Sequence, residues 1–329
     1  MAGISTHHIA EAACIIRRGG LVAFPTETVY GLGADACNAA AVAAIFSAKQ
    51  RPRFDPLIVH IHDFVQIELV AHSLPPKAYK LIEAFWPGPL TIVVPKQKAI
   101  PDIVTSGLPQ VAVRMPGNSI ARELIKQAQT AVAAPSANKF GHISPTRAAH
   151  VQESFGSEVD MILDGGPCTV GVESTILGFT ADPPVVLRFG GIALEDIKRV
   201  VGEVQIPPHN SRVNASPGRQ LRHYAPLTPL IAYDSPCHQQ AGLRKGLLAF
   251  CPPQPAALQQ YAAIEVLSER GDPAEAACNL FAALRKLDSK GLDVIVTTPA
   301  PDYGLGPAIN DRLNRASYTQ TAQQKARST

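Results

Sequence analysis

Lys49, Arg51 and Arg53 place three cations within five residues, in Ser47-Ala48-Lys49-Gln50-Arg51-Pro52-Arg53. They close an apolar helical stretch. Pro52 stops that helix and throws the cations into a loop. A guanidinium forks onto two phosphate oxygens and an ammonium adds a point charge, so the set suits a phosphate clamp. The plainer reading is a set of cations complementing a helix C-terminus. Other segments gather small polar groups where short apolar runs end. Pro25-Thr26-Glu27-Thr28-Val29-Tyr30-Gly31-Leu32-Gly33 is either a polar turn before a helix or a place where glycines let the backbone approach a ligand. Ala134-Pro135-Ser136-Ala137-Asn138 runs on to Ser144-Pro145-Thr146. Strand ends of this kind carry ligand groups in α/β sheets, although Ser144 also fits a helix cap with Pro145 at the first position. Asp164-Gly165-Gly166-Pro167 and Gly171-Val172-Glu173-Ser174-Thr175-Ile176 follow. Arg114 and Arg188 each close a strand-like run, Val111-Ala112-Val113 and Val185-Val186-Leu187. One arginine so placed is ordinarily a surface residue. Two, with a separate Lys/Arg cluster, point to an anion pocket. Cys37 and Cys168 lie near these motifs, but nothing pairs either with a base, so both read as packing residues.

The elements that must position these groups alternate along the chain. Ile9, Ala12, Ala13 and Ile16 share one helical face, which Gly19-Gly20 terminates. Asn38 caps a helix whose inner face is Val42, Ile45 and Phe46. Further helices are expected at 78–85, 119–127, 145–153 and 194–200, and strands at 21–24, 57–61, 90–94, 111–114, 131–133, 159–163, 175–179 and 185–187. Mixed strands and helices predict an α/β or α+β domain over 1–205. Residues 206–229, with Pro207-Pro208-His209-Asn210-Ser211, lose all periodicity and read as a linker. In 230–329, strands at 230–233, 246–250, 264–267 and 294–297 flank a helix opened by Asp272-Pro273 and ended by Gly291. This predicts a small three-layer α/β unit, with no GxGxxG after its first strand to support nucleotide binding there.

A chain of 329 residues fits two domains, and 46% apolar with 17% charged residues fits packed cores. The net charge is +3 and no run of five like charges occurs, which suits a small anionic substrate better than a polynucleotide. The six cysteines form no CxxC pair and read as reduced thiols. The N-terminal residues lack the basic start and apolar core of a signal peptide, and no apolar stretch is long enough for a bilayer. The expectation is a soluble, cytoplasmic protein.

Taken in order, PTETVYGLG at 25–33, Lys49-x-Arg51-Pro52, PLIVHI at 56–61, WPGPLT at 86–91, AVRMP at 112–116, APSAN at 134–138, SPT at 144–146 and GVESTI at 171–176 resemble the YrdC-like family of threonylcarbamoyl-adenylate synthases. The resemblance spans roughly residues 5–203. Ser216-Pro217-Gly218 with Arg222-His223-Tyr224-Ala225-Pro226 is similar to the linker of that family's long form. Two departures stand out. Arg219, Gln220 and Leu221 replace the family's Met, basic and aromatic or His residues, and Asp55 replaces its Asn before Pro56-Leu57. The second is expected to alter the loop but not the cation clamp.

The resemblance implies a YrdC-like twisted open α/β sheet with a concave, positive face, followed by a smaller Rossmann-like α/β domain. It implies that threonine, bicarbonate or CO2, and ATP give threonylcarbamoyl-AMP and pyrophosphate, for threonylcarbamoyladenosine in tRNA. Lys49, Arg51, Arg188 and, more weakly, Arg53 would meet ATP phosphates, with Lys49 and Arg51 catalytic. Ser136, Asn138 and Ser144 would hydrogen-bond the nucleotide. Thr26, Arg114 and Ser174 would hold threonine, Arg114 taking its carboxylate. Tyr30 and His60 would line that pocket, although His60 alternates with strand core residues and reads equally as structural. Mg2+ is expected with ATP, riding on its phosphates. The product would pass to a tRNA threonylcarbamoyl transferase, and the linker would fold over the pocket. That lid idea fails if deleting 206–329 leaves adenylate formation unchanged. Three rival readings are a double-stranded RNA-binding module without catalysis, a carbamoyl-transfer enzyme of hydrogenase maturation, and a nucleotide-sensing regulator. The first is weakened by the low charge and sparse aromatics. The second would need zinc-binding cysteine clusters that the sequence lacks.

Overall fold

The computed structural model describes residues 6–207, 223–235, 240, 242–255 and 259–327, with side chains up to 317. It divides into two compact units, 1–140 with 144–219, and 141–143 with 220–329. The expected linker falls largely on 208–222, outside the described residues, as do Arg219, Gln220 and Leu221.

The first unit is built on nine strands: β1 (Val22–Phe24), β2 (Gly31–Asp35), β3 (Ile58–His60), β4 (Leu90–Pro95), β5 (Gln110–Arg114), β6 (Val132–Ala133), β7 (Met161–Ile162), β8 (Thr175–Gly178) and β9 (Val185–Arg188). Their order across the mixed sheet is β7-β1-β2-β6-β3-β5-β4-β8-β9. Strand alternation divides the side chains between the faces. Leu21, Ala23, Leu32, Val59, Ile92, Val111 and Val113 enter the main core on one face. On the other, Val22, Phe24, Val132 and Ala134 pack under α1 (Thr6–Arg17) and the helix Ser119–Ala128. Further along that second face, Ile58, Val93, Ala112, Ile176 and Leu187 form only a small cluster. The same alternation brings His60, Thr91 and Arg114 to that sparsely covered stretch.

The expected helix features are present. α1 buries Ile9, Ala12, Ala13 and Ile16. Asn38 Oδ1 accepts the Ala40 and Ala41 N–H groups at 3.0 and 3.2 Å and starts α2 (Ala39–Lys49). Asn118 caps Ser119–Ala128 in the same way. Each such cap is worth about 1 kcal/mol.

Two readings are refined. The segment 25–33, left open between a polar turn and a ligand-approach loop, holds a turn at 26–30 followed by a strand, β2, which pairs antiparallel with β1 and with β6. Its Gly33 faces the Phe24 ring and Val132, and a Cβ there would lie 2.6 Å from Phe24 Cε1. A glycine that normally weakens a strand is here the residue that admits its neighbour's ring. The helix expected from Pro145 starts instead at Ala148, with Arg147 extended at its cap, so Ser144 caps nothing.

The second unit has a parallel four-stranded sheet, β10 (Leu230–Ala232), β11 (Lys245–Ala249), β12 (Ala263–Val266) and β13 (Val294–Thr297), in the order β10-β13-β11-β12. Asp272 caps the helix Pro273–Asp288, which buries Ala277, Leu280, Phe281, Leu284 and Leu287. That helix ends at Asp288, ahead of the stop expected at Gly291. A long helix, Gly306–Arg327, was not legible. Tyr224 of the expected linker signature is buried in this unit, its ring stacked on Phe281 with the Arg312 guanidinium over it.

Candidate active site

α2 carries Lys49 to its last turn, and an αL residue, Gln50, turns the chain out of the helix. The Lys49 side chain is buried, and its ammonium donates to the Ser136 carbonyl at 2.5 Å and to the Asn138 carbonyl. Burial and then the neighbouring Arg51 charge push this lysine well below its ordinary value. Arg51 is buried as well. Its Nε donates to the Asp55 carbonyl at 3.1 Å and Nη2 to the Pro56 carbonyl at 2.9 Å. Nη2 also lies 2.9 Å from Asp55 Oδ2 in an ion pair buried on both sides. Asp55 therefore does enter the clamp, contrary to the expectation that it would touch only the loop. Of the three cations, Arg53 alone is exposed.

Ser136 and Asn138 follow β6 and serve Lys49 through their carbonyls, while Asn138 Nδ2 donates to the Lys139 carbonyl. Ser144 Oγ, fully buried, donates to Glu173 Oε1 at 2.6 Å. Next to Glu173, Ser174 Oγ sits 2.7 Å from Thr91 Oγ1. Arg188 closes on the same residue, with Nε and Nη2 donating to the Ser174 carbonyl at 3.1 and 2.9 Å and Nη2 to its Oγ at 3.1 Å. The residue expected for threonine and the one expected for ATP are thus direct neighbours.

Arg114 ends β5 and is held from three sides. Nε donates to the Gly88 carbonyl at 3.2 Å, Nη1 to Thr28 Oγ1 at 2.8 Å, and Nη2 lies 2.6 Å from Glu27 Oε1. Burial would raise the Glu27 carboxyl, but the Arg114 charge and the Gly117 N–H outweigh it and leave it below the usual range. Thr26 Oγ1 bonds Thr28 Oγ1 at 2.8 Å and the Val29 carbonyl at 2.6 Å, which folds the turn. His60 pairs in register with Arg114 and meets the Phe24 ring edge-on. Burial, with the Arg114 charge, lowers its pKa to about 3, so it is neutral at physiological pH. The buried Tyr30 hydroxyl donates to the Gly166 carbonyl at 2.7 Å. Burial and then Asp164 raise its pKa, so it remains a phenol.

One segment joins these groups. The Tyr30 N–H donates to the Pro145 carbonyl at 2.8 Å and the Ala137 N–H to the Tyr30 carbonyl at 2.8 Å. The Val170 N–H donates to the Glu27 carbonyl at 2.7 Å. The turn at 26–30 is therefore tied to the loop carrying Ser136 and Asn138, to Pro145 beside Ser144, to Arg114, and to the loop before Glu173. Sequence reasoning missed Glu27, Thr28, Thr91 and Glu173 as individuals, although each lies inside a motif it singled out. Among the described residues, no cluster of three or more His, Cys, Asp or Glu side chains is placed to hold a metal ion.

Gly190 shows how tightly this site is supported. A Cβ there would lie 2.3 Å from the Glu173 carbonyl oxygen and 2.4 Å from the Thr175 nitrogen, all backbone. Gly190→Ala must displace the Glu173–Thr175 strand start and, with it, the Ser174–Arg188 contact. The expected result is at least a tenfold loss of turnover, on the scale of small misplacements of reacting groups. Wild-type turnover and melting temperature in this variant would contradict that close approach.

A family model described as telomere recombination (Sua5_yciO_yrdC) matches residues 14–190. A second, described as threonylcarbamoyl-AMP synthase, C-terminal domain (Sua5_C), matches 192–317. A threonylcarbamoyl-AMP synthase of Pyrococcus abyssi is 45% identical over 94% of this chain and 94% of its own length. One of Bacillus subtilis is 42% identical over 94% and 92%. The crystal structure of P. abyssi Sua5 complexed with L-threonine superposes with a TM-score of 0.89 at 42% identity, covering 96% of each chain. With both family models placed end to end and relatives of this identity aligned along nearly its whole length, the chain belongs to the Sua5/YciO/YrdC family, in the form that carries the Sua5 C-terminal domain.

Proposed function

We propose that this chain is a threonylcarbamoyl-AMP synthase, making threonylcarbamoyl-AMP and pyrophosphate from L-threonine, bicarbonate and ATP for threonylcarbamoyladenosine in tRNA. The observation that carries the reading is that the partners of three buried cations, Ser136 and Asn138 for Lys49, Thr28 for Arg114 and Ser174 for Arg188, lie on segments tied by backbone hydrogen bonds to the one turn at 26–30. Its relatives of this length bear that activity in their names, and they point to a synthase rather than an RNA-binding module.

In this reading the threonine amine combines with bicarbonate to give the carbamate and water. A carbamate oxygen then attacks the α-phosphorus of ATP, the bond to the β-phosphate oxygen breaks, and pyrophosphate leaves. There is no covalent enzyme intermediate, so the residues position the reactants and stabilise charge. Lys49 and Arg51, with Arg188, face the phosphates. Arg53, being exposed, meets at most the outer end of the nucleotide. Ser136, Asn138 and Ser144 serve the nucleotide. Thr26, Tyr30, His60, Arg114 and Ser174 surround threonine, with Arg114 on its carboxylate. His60, being neutral, offers a hydrogen bond without competing for the carboxylate. Burial of these groups fits a carbamate that water would destroy.

Mg2+ would arrive with ATP and would supply charge neutralisation to its phosphates, with Asp55 engaged by Arg51 instead of being offered to the metal. The product passes to a tRNA threonylcarbamoyl transferase in the cytoplasm. No helix of the described residues is long and apolar enough to cross a membrane.

The test is to incubate the protein with ATP, threonine, bicarbonate and Mg2+, omit each in turn, and measure pyrophosphate. Release that needs all four is expected. Release indifferent to threonine would overturn the assignment.

A further inference from the structure

Glu27 has no role in the scheme above, yet its environment is that of a working group. Both carboxylate oxygens are buried, with the Gly117 N–H close by but much of their accepting capacity unused. Oε1 lies 2.6 Å from Arg114 Nη2, which is without an aligned acceptor. The backbone gives little room for withdrawal. A Cβ on Gly117 would lie 3.4 Å from the Glu27 carboxyl carbon, and Val170 fixes the Glu27 carbonyl. A buried carboxylate and guanidinium in contact, each with unspent hydrogen-bonding capacity, match the two charges of an amino-acid zwitterion. The arrangement suits opening by a ligand that supplies a carboxylate to Arg114 and an ammonium to Glu27.

We propose that Glu27 binds the ammonium of the amino-acid substrate and takes its proton, freeing the amine for carbamate formation. This rests on the synthase reading. The step balances: R–NH3+ and the Glu27 carboxylate give R–NH2 and the Glu27 carboxylic acid. The amine then adds to the bicarbonate carbon, a carbon–oxygen bond breaks, and R–NH–COO− and water result. The Glu27 proton departs to solvent.

Electrostatics favour this order. The charged or titratable groups facing Glu27 are Arg114 on β5 and His60 on β3, and His60 is neutral. Arg114, with the Gly117 N–H, holds the carboxyl down against its burial. A substrate carboxylate that neutralises Arg114 removes the larger of these two, so the carboxyl becomes a stronger base once substrate is bound.

The experiment uses the full chain and follows pyrophosphate release at saturating ATP and threonine across pH for the parent, Glu27→Gln and Glu27→Asp. With the base removed, only threonine already present as free amine reacts. Glu27→Gln should lose roughly 100-fold at neutral pH. The ratio of variant to parent rate should then climb about tenfold per pH unit as the substrate ammonium titrates. Glu27→Asp should recover part of the loss with a flat ratio. A Gln-to-parent ratio that stays constant with pH, at whatever level, overturns the proposal.

A measurement on the parent alone guards against a variant that fails to fold. 3-Hydroxybutanoate, which is threonine without its ammonium, should compete with threonine at least tenfold more weakly than threonine itself binds; equal competition also overturns the proposal. Absence of threonine-dependent release in the parent would instead sink the synthase reading, so the two failures are distinguishable.

Discussion

Lys49→Ala is expected to cut threonine-dependent pyrophosphate release by roughly 30- to 900-fold, the kinetic equivalent of ~2–4 kcal/mol of lost transition-state stabilisation. Arg51→Ala should lose a similar amount. Both cations are buried, so they act where solvent screens them little, and charge develops on the α-phosphate and the departing pyrophosphate. Lys49→Ala also strips a donor from the Ser136 and Asn138 carbonyls, so its melting temperature must be measured alongside the rate. Near-normal turnover in both variants would remove the clamp from the mechanism. The same geometry sets a pH dependence. Phosphate binding favours the protonated lysine, and burial with Arg51 has lowered its pKa. ATP affinity should therefore be constant at lower pH and fall as pH rises through that lowered value, earlier than an ordinary lysine would dictate. ATP titrations from acid through alkaline pH check this.

Arg114→Ala should raise the threonine requirement far more than the ATP requirement. Its fork is the group best placed for a substrate carboxylate, and its contacts to Gly88 and Thr28 fix its direction. The variant also leaves the Glu27 carboxylate buried without its cation, a change that typically costs ~3–5 kcal/mol of stability. Arg114→Lys separates the two effects. It keeps the charge beside Glu27 but loses the fork, so stability should largely return while the threonine requirement stays high. A rise confined to the ATP requirement in Arg114→Lys would mean that the two halves of the site are interchanged.

The legibility of this site in the sequence followed its physical causes. Helix faces and caps were readable because they are local. Ile9, Ala12, Ala13 and Ile16 declare one buried face, and Asn38 declares where α2 starts. β2 was not readable, because the demand for glycine at 33 comes from Phe24 on another strand. Ser144 was ambiguous for the same reason. Its partner, Glu173, lies 29 residues away, and nothing near Ser144 distinguishes that bond from a helix cap. The motif residues were found as groups, but their pairings depend on sheet order. Ser174 with Arg188 follows from β8 lying antiparallel to β9, and Arg114 beside His60 from β5 lying parallel to β3. Glu27 was passed over because a carboxylate among hydroxyls and glycines looks like turn chemistry until an arginine is seen against it. The long helix Gly306–Arg327 carries only a short apolar face, Ile309, Leu313 and Ala316, in an otherwise largely polar run.

The ion pair between Arg51 and Asp55 bears on how the chain ignores the wrong anions. A bare guanidinium would attract chloride, inorganic phosphate or the backbone of any passing nucleic acid. Here the carboxylate accompanies the cation into the interior, so an arriving anion must outcompete a tethered rival that is already desolvated. If the clamp serves a nucleotide as proposed, only a ligand held at several other points would supply that surplus, and a charge that would otherwise be indiscriminate would open only to a multiply anchored one.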